Sequence, residues 1–276
     1  MTAKLDAFFA WALLVLAALQ GGSAFLHFEA MVAEEAAGAH REPALWWLSG
    51  GLILGFAAVL NLLRLRIGPR APALLRLCLA ADVLLFTMIL GLFALHSEFL
   101  WPLRLPMLAV SGVEAACAWS AVRRLPPLPA GTGVWKPPAG TLGKLDFLCA
   151  ATILLIEIGH VLFVFRYYQP LVHPAAIGAA KEPAFWWVAG GVAYWFGGGL
   201  NLVRIRHGAG VPALVRACLA VNVFMLAYVS GLLLVNPWFI LWARGPLALC
   251  LIAEIGFSVR ELIRRDDVVL APGPAT

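Results

Sequence analysis

The sequence predicts an all-α integral membrane protein of eight transmembrane helices, made as a gapless tandem duplication of a four-helix unit. Three observations predict it. Of the 276 residues, 62% are hydrophobic and only 13% are charged, roughly half the charge of an ordinary soluble domain. Apolar stretches of about 18 residues or more recur, each long enough to cross a hydrocarbon core of about 30 Å. The second half also repeats the first: Lys4-Leu5-Asp6 returns as Lys144-Leu145-Asp146, Glu42-Pro43-Ala44-Leu45-Trp46-Trp47 as Glu182-Pro183-Ala184-Phe185-Trp186-Trp187, and Asn61-Leu62-Leu63-Arg64-Leu65-Arg66 as Asn201-Leu202-Val203-Arg204-Ile205-Arg206. About a third of positions match between residues 4–125 and 144–265, the kind of self-similarity that marks a repeat architecture.

The elements follow in order. The first helix lies near 7–28. It starts at Ala7, is too long for a signal peptide, and continues apolar through Gln20-Gly21-Gly22-Ser23, a poor cleavage site. The second, near 44–63, opens after Glu42-Pro43 and closes at Arg64 and Arg66; the third, near 73–95, opens after Pro72. The fourth, near 105–122, opens around Pro106 and stops at Arg123-Arg124. A proline at a helix start has no amide to leave unpaired. The copies fall near 147–165, 184–203, 213–235 and 245–262. Short connections within each half predict antiparallel neighbours. The organisation is a first membrane repeat at 1–124, a linker at 125–143 rich in proline and glycine, a second repeat at 144–265 and a frayed tail at 266–276.

Charge orients the helices. One face collects Lys4, Arg64, Arg66, Arg70, Arg76, Arg123, Arg124, Lys136, Lys144, Arg204, Arg206, Arg216, Arg260, Arg264 and Arg265, fifteen of the twenty basic residues. The other face has Arg41, Arg104, Arg166, Lys181 and Arg244. The positive-inside rule places both termini in the cytoplasm, on an inner membrane. An even number of spans per half gives the two copies one orientation, related by a pseudo-two-fold along the membrane normal. The net charge of +5 reports topology and calls for no nucleic acid. The five cysteines form no CxxC pair and read as buried free thiols, with the repeat mates Cys78 and Cys218 sharing a packing role.

Most residues kept in both halves have a structural reading. Trp46-Trp47 and Trp186-Trp187 read as anchors at the outer interface. Gly50-Gly51 and Gly190-Gly191 let helices approach closely. Arg64, Arg66 and their mates lie where the helix meets cytoplasmic headgroups. Glu114 and Glu254 differ: each falls near the middle of its helix, where a carboxyl is costly and points to function. Each could instead be a protonated group hydrogen-bonded to a neighbouring helix, or pair with Arg76 or Arg104; Arg76 and its mate Arg216 are further polar candidates. A pseudo-two-fold could bring the two glutamates together.

The halves diverge at other polar positions. Asp82 matches Asn222, and helix five carries Glu157 and His160 where helix one has Ala17 and Gln20. Glu157 and His160 stand at i, i+3, on one helix face. Di-metal carboxylate bundles use that spacing, but they need two such motifs and further glutamates, so an internal pair or part of a proton path is the competing reading. At the outer rim of the first half, His27, Glu29, His96 and Glu98 offer imidazole and carboxylate ligands suited to zinc or copper; the competing reading is a solvated acidic loop.

No P-loop, Rossmann fingerprint, HExxH or GxSxG is present. The four-span unit resembles, in size and general pattern, small bacterial four-helix membrane proteins of the DoxX-like kind, here fused in tandem; the likeness implies no residue roles and no activity. The sequence indicates no catalytic residues and requires no cofactor. The expected function is a pathway for a small solute, ion or proton at the interface of the repeats, using mid-membrane carboxyls. The alternatives are a non-catalytic accessory or anchoring subunit and a metal- or redox-cofactor-binding subunit. The expected partners are the lipid bilayer and, as candidates, other membrane subunits or a second copy of the chain.

Overall fold

The computed structural model describes residues 3–27, 38–95, 101–126, 138–167, 178–208, 211–235 and 241–270. Among them the regular structure is all helical. The eight helices are α1 (Ala3–His27), α2 (Gly38–Ile67), α3 (Pro72–Leu95), α4 (Trp101–Arg123), α5 (Thr141–Tyr167), α6 (Gly178–His207), α7 (Pro212–Val235) and α8 (Leu241–Leu270).

Six of them, α1 to α5 and α7, are long and apolar enough to cross a membrane. The sequence reading expects eight spans, and the difference lies in composition. Helix α6 spends much of its length on glycine, tryptophan and tyrosine, and α8 carries Arg244, Glu254 and Arg260. Both are 30 residues long.

Helix ends shift from the expected ones. Pro72 and Pro212 do open α3 and α7, but α4 begins at Trp101 and α8 at Leu241, so Pro106 and Pro246 lie inside their helices. Helix α5 starts at Thr141, within the expected linker, and α8 runs to Leu270, past Asp266. A 3-10 turn at Gly68–Arg70 joins α2 to α3, with Ala71 N–H donating to Gly68 O at 3.0 Å. Val211 N–H does the same to Gly208 O at 2.9 Å between α6 and α7.

In the first half α1 packs on α2, α2 on α3, α3 on α4, and α4 returns to α1. In the second, α5, α6, α7 and α8 close the same circuit. The halves meet where α2 and α6 touch each other and where each touches the other half's α3 or α7. One apolar core runs through both halves.

Glycine sets the closest approaches. A Cβ on Gly51 would stand 2.9 Å from Ala17 O, so α1 and α2 touch backbone to backbone there. Gly50 faces the Trp186 ring, and a Cβ on Gly190 would stand 3.1 Å from Trp46. These two glycines make room for an indole from the opposite half. The tryptophans are therefore not outer-interface anchors. Trp46, Trp47, Trp186 and Trp187 are all buried, with Trp46 and Trp187 centroids 4.5 Å apart and Trp47 and Trp186 5.5 Å apart. Ring pairs at such distances contribute about 0.5–1.5 kcal/mol beyond burial. The indole N–H of Trp47 donates to Ser23 Oγ at 2.9 Å, and that of Trp187 to His160 O at 3.1 Å, so each ring also ties its helix to α1 or α5.

Candidate functional site

Each half encloses a buried arginine held by carboxylates from two other helices. In the first half Arg64, near the end of α2, reaches Asp6, in the first turn of α1. Nη1 donates to Asp6 Oδ2 at 2.9 Å and Nη2 to Oδ1 at 2.6 Å, a two-pronged pairing. Nη2 also donates to Glu114 Oε2 of α4 at 2.7 Å. The guanidinium Nε donates to Asn61 Oδ1 at 2.9 Å, and Asn61 Nδ2 donates to Asp82 Oδ1 of α3 at 2.7 Å. The first half thus carries one continuous buried network, Asp82–Asn61–Arg64–Asp6/Glu114, with three carboxyls and one guanidinium.

The second half repeats part of this arrangement 140 residues on; there Arg204 Nε, unlike Arg64 Nε, has no hydrogen-bond partner among the described residues. Arg204 Nη2 pairs with Asp146 Oδ1, and also donates to Glu254 Oε2 at 2.8 Å. A third carboxylate, Glu261, accepts from Arg204 Nη1 at 3.3 Å. Asn201 and Asn222 bond each other reciprocally at 2.9 Å. Asn222 stands where the first half has Asp82, so an amide pair replaces an amide–carboxylate pair. Even the thiols correspond: Cys78 Sγ lies 3.2 Å from Leu60 O and Cys218 Sγ 3.5 Å from Leu200 O.

These contacts correct several expectations. Glu114 and Glu254 are fully buried and pair with Arg64 and Arg204, neither with Arg76 nor with Arg104. Arg76 and Arg216 are exposed on the surface. Arg64 and Arg204 do not reach out to headgroups; their side chains are 4% and 2% exposed. The two glutamates do not meet across the halves. They stand on α4 and α8, each packed inside its own half, while the seam between halves is made by α2, α3, α6 and α7.

The sequence reading missed Asp6, Asp146 and the inward turn of both arginines. The signal was there: all four are kept at the 140-residue offset. Asp6 lies one turn into an apolar helix, where a solvated charge and a buried one look alike until a partner is known.

A cleft of about 620 Å³ opens at the Arg204 cluster. Its walls are the segment Pro138–Gly143, the start of α5 at Asp146, Arg204 and Ile205 of α6, and Phe257, Arg260, Glu261 and Arg264 of α8. Arg204, which lines the cleft, also donates to Glu254, which does not line it.

Glu157 and His160 sit elsewhere, beside the tryptophan seam. Both face Gly191 of α6: a Cβ there would lie 3.3 Å from Glu157 Oε2 and 3.1 Å from His160 Cδ2. His160 stacks on Trp187 at 4.7 Å, and its Nε2 lies 3.3 Å from Trp187 O. A carbonyl can only accept, so that contact needs the proton on Nε2. Glu157 is buried, and its Oε2 has no hydrogen-bond partner among the described residues. No third metal-ligating side chain joins this pair among the described residues. Asp6, Glu114 and Cys117 do bring three ligand-type atoms within 4.8 Å of one another. There the Arg64 guanidinium already bonds both carboxylates, taking the place a cation would need. Of the outer-rim set, Glu29, His96, Glu98 and the side chain of His27 lie outside the described residues.

No protein family model matches the chain, and no curated protein or solved structure matches it.

Proposed function

We propose that this is a multi-pass inner-membrane protein, a tandem duplication of a four-helix unit with both termini cytoplasmic, that passes protons or a small charged solute to a buried carboxyl of its second half. One observation carries the reading: the cleft at Asp146 and Arg204 leads to the arginine that bonds the fully buried Glu254. Three carboxylates around a single guanidinium form a site whose charge balance a proton or a small cation can complete. The sequence-based expectation put the pathway at the interface of the repeats. Between α2 and α6 that seam is filled by tryptophan rings, which favours a route inside the second half instead.

The test is proton flux in proteoliposomes loaded with a pH-sensitive dye. Wild-type protein should exceed protein-free liposomes, and Glu254→Gln should lower the flux roughly ten-fold or more, because it removes the titratable oxygen while keeping the shape. Glu114→Gln should have the smaller effect. Flux at wild-type level in both variants, or none in the wild type, defeats the proposal for protons. The accessory-subunit reading then takes over. Its own support is that both arginines are paired with carboxylates inside their own half, as they would be if they served only to hold helices together.

A further inference from the structure

We propose that the seam between α2 and α7 is a binding site for an anionic phospholipid. A second cavity, of about 440 Å³, lies there, walled by the last turns of α2, the 3-10 turn and the first turns of α7. Its composition is divided. Arg66, Arg70 and Arg216 stand on it, all exposed, and no hydrogen bond or ion pair joins them to another described residue. The remaining wall is aliphatic, including Val59, Leu62 and Val211. Val59 lies seven residues before Arg66, about 10 Å along the helix, so the apolar wall runs from the guanidiniums toward the middle of the bundle.

Three guanidiniums without a partner among the described residues, at the end of an apolar groove, match a phosphodiester joined to acyl chains. Basic pockets between helices recognise lipid headgroups this way, and each basic residue strengthens binding several-fold. A free phosphate would use the arginines but leave the aliphatic wall unused. The positions 140 residues away hold Arg76, Arg206 and Gly210. Glycine in place of Arg70 leaves the other half with one guanidinium fewer, so the site belongs to one side of the molecule. The inference needs only that the helices lie in a bilayer; it does not depend on any flux through the cleft at Arg204.

The experiment is native mass spectrometry of the full chain, delipidated in a neutral detergent and titrated with phosphatidylglycerol or phosphatidylcholine. One tight phosphatidylglycerol per chain is expected, with phosphatidylcholine much weaker. Arg70→Gly, which installs the residue found in the other half, and Arg216→Ala should each weaken phosphatidylglycerol about five-fold. The Arg66→Ala/Arg70→Gly/Arg216→Ala triple variant should lose the tight site, and Arg76→Ala should keep it. The Arg66→Lys/Arg70→Lys/Arg216→Lys variant retains the charge and should recover most of the binding, which separates loss of the site from loss of the fold. Equal retention of both lipids, or phosphatidylglycerol binding undiminished in the triple variant, overturns the proposal. So does displacement of the lipid by millimolar inorganic phosphate, which would mark a free-anion site.

Discussion

At the scale of single residues, the buried arginines dominate. A guanidinium in a hydrocarbon environment is tolerable only when its charge is matched and its donors are filled. Arg64 meets that condition through Asp6, Glu114 and Asn61. Arg64→Leu should therefore cost about 3–5 kcal/mol, because it strands two carboxylates without their cation. Arg76→Leu, at an exposed position, should stay within about 0.5 kcal/mol. Adding Asp6→Asn and Glu114→Gln to Arg64→Leu should restore much of the loss. Unfolding in detergent by stepwise denaturant measures all three, and equal stabilities for Arg64→Leu and Arg76→Leu would remove the structural importance of the Arg64 network. Glu114 and Glu254 were legible in the sequence as costly carboxyls. Their partners were not: the long arginine side chain lets a residue close to a helix end point either to headgroups or back into the bundle, and sequence does not distinguish the two.

At the scale of elements, the glycine pairs were read correctly and the tryptophan pairs were not. Amphipathic rings near the end of an apolar stretch ordinarily mark the membrane interface. Here Gly50 and Gly190, three residues beyond the second tryptophan of each pair, leave room for an indole of the facing helix, and the rings turn inward. The Trp-Trp-x-x-Gly-Gly spacing shared by both halves was the available clue. The α1–α2 contact gives a sharper test. Gly51→Ala pushes a methyl group to 2.9 Å from backbone atoms of α1, which cannot rotate away, and should cost about 1–3 kcal/mol. Gly55→Ala, one turn on, meets only the Ala17 Cβ at 3.7 Å and should be close to neutral. Thermal unfolding of the two variants side by side decides it; similar midpoints would mean that α1 can slide away from α2.

At the scale of the whole molecule, α1–α4 and α5–α8 each close a circuit of helix contacts, and crossing of the membrane by α6 and α8 is tested by topology. Helix α6 packs against α2, α3, α5 and α7, and the carboxyl of Glu254 on α8 faces inward, as ionisable groups in spanning helices do. Alkaline phosphatase, active only outside the cytoplasm, should be inactive when fused after Gly208 and when fused at Thr276, and active when fused after Ser97. Activity after Gly208 would mean that α6 turns back; inactivity there with activity at Thr276 would mean that α8 does. Hydropathy alone could not decide these two helices, since their polar and small residues are the ones used inside the bundle. The difference between Asp82 and Asn222 carries a further consequence. An assembly of two identical short chains must accept every substitution twice, so any change that favours one side burdens the other. Within a single polypeptide the partners are free to specialise: one keeps a carboxylate wired to its arginine while the other trades it for an amide. A symmetric pair has no built-in direction, whereas one covalent chain can give its two halves different jobs.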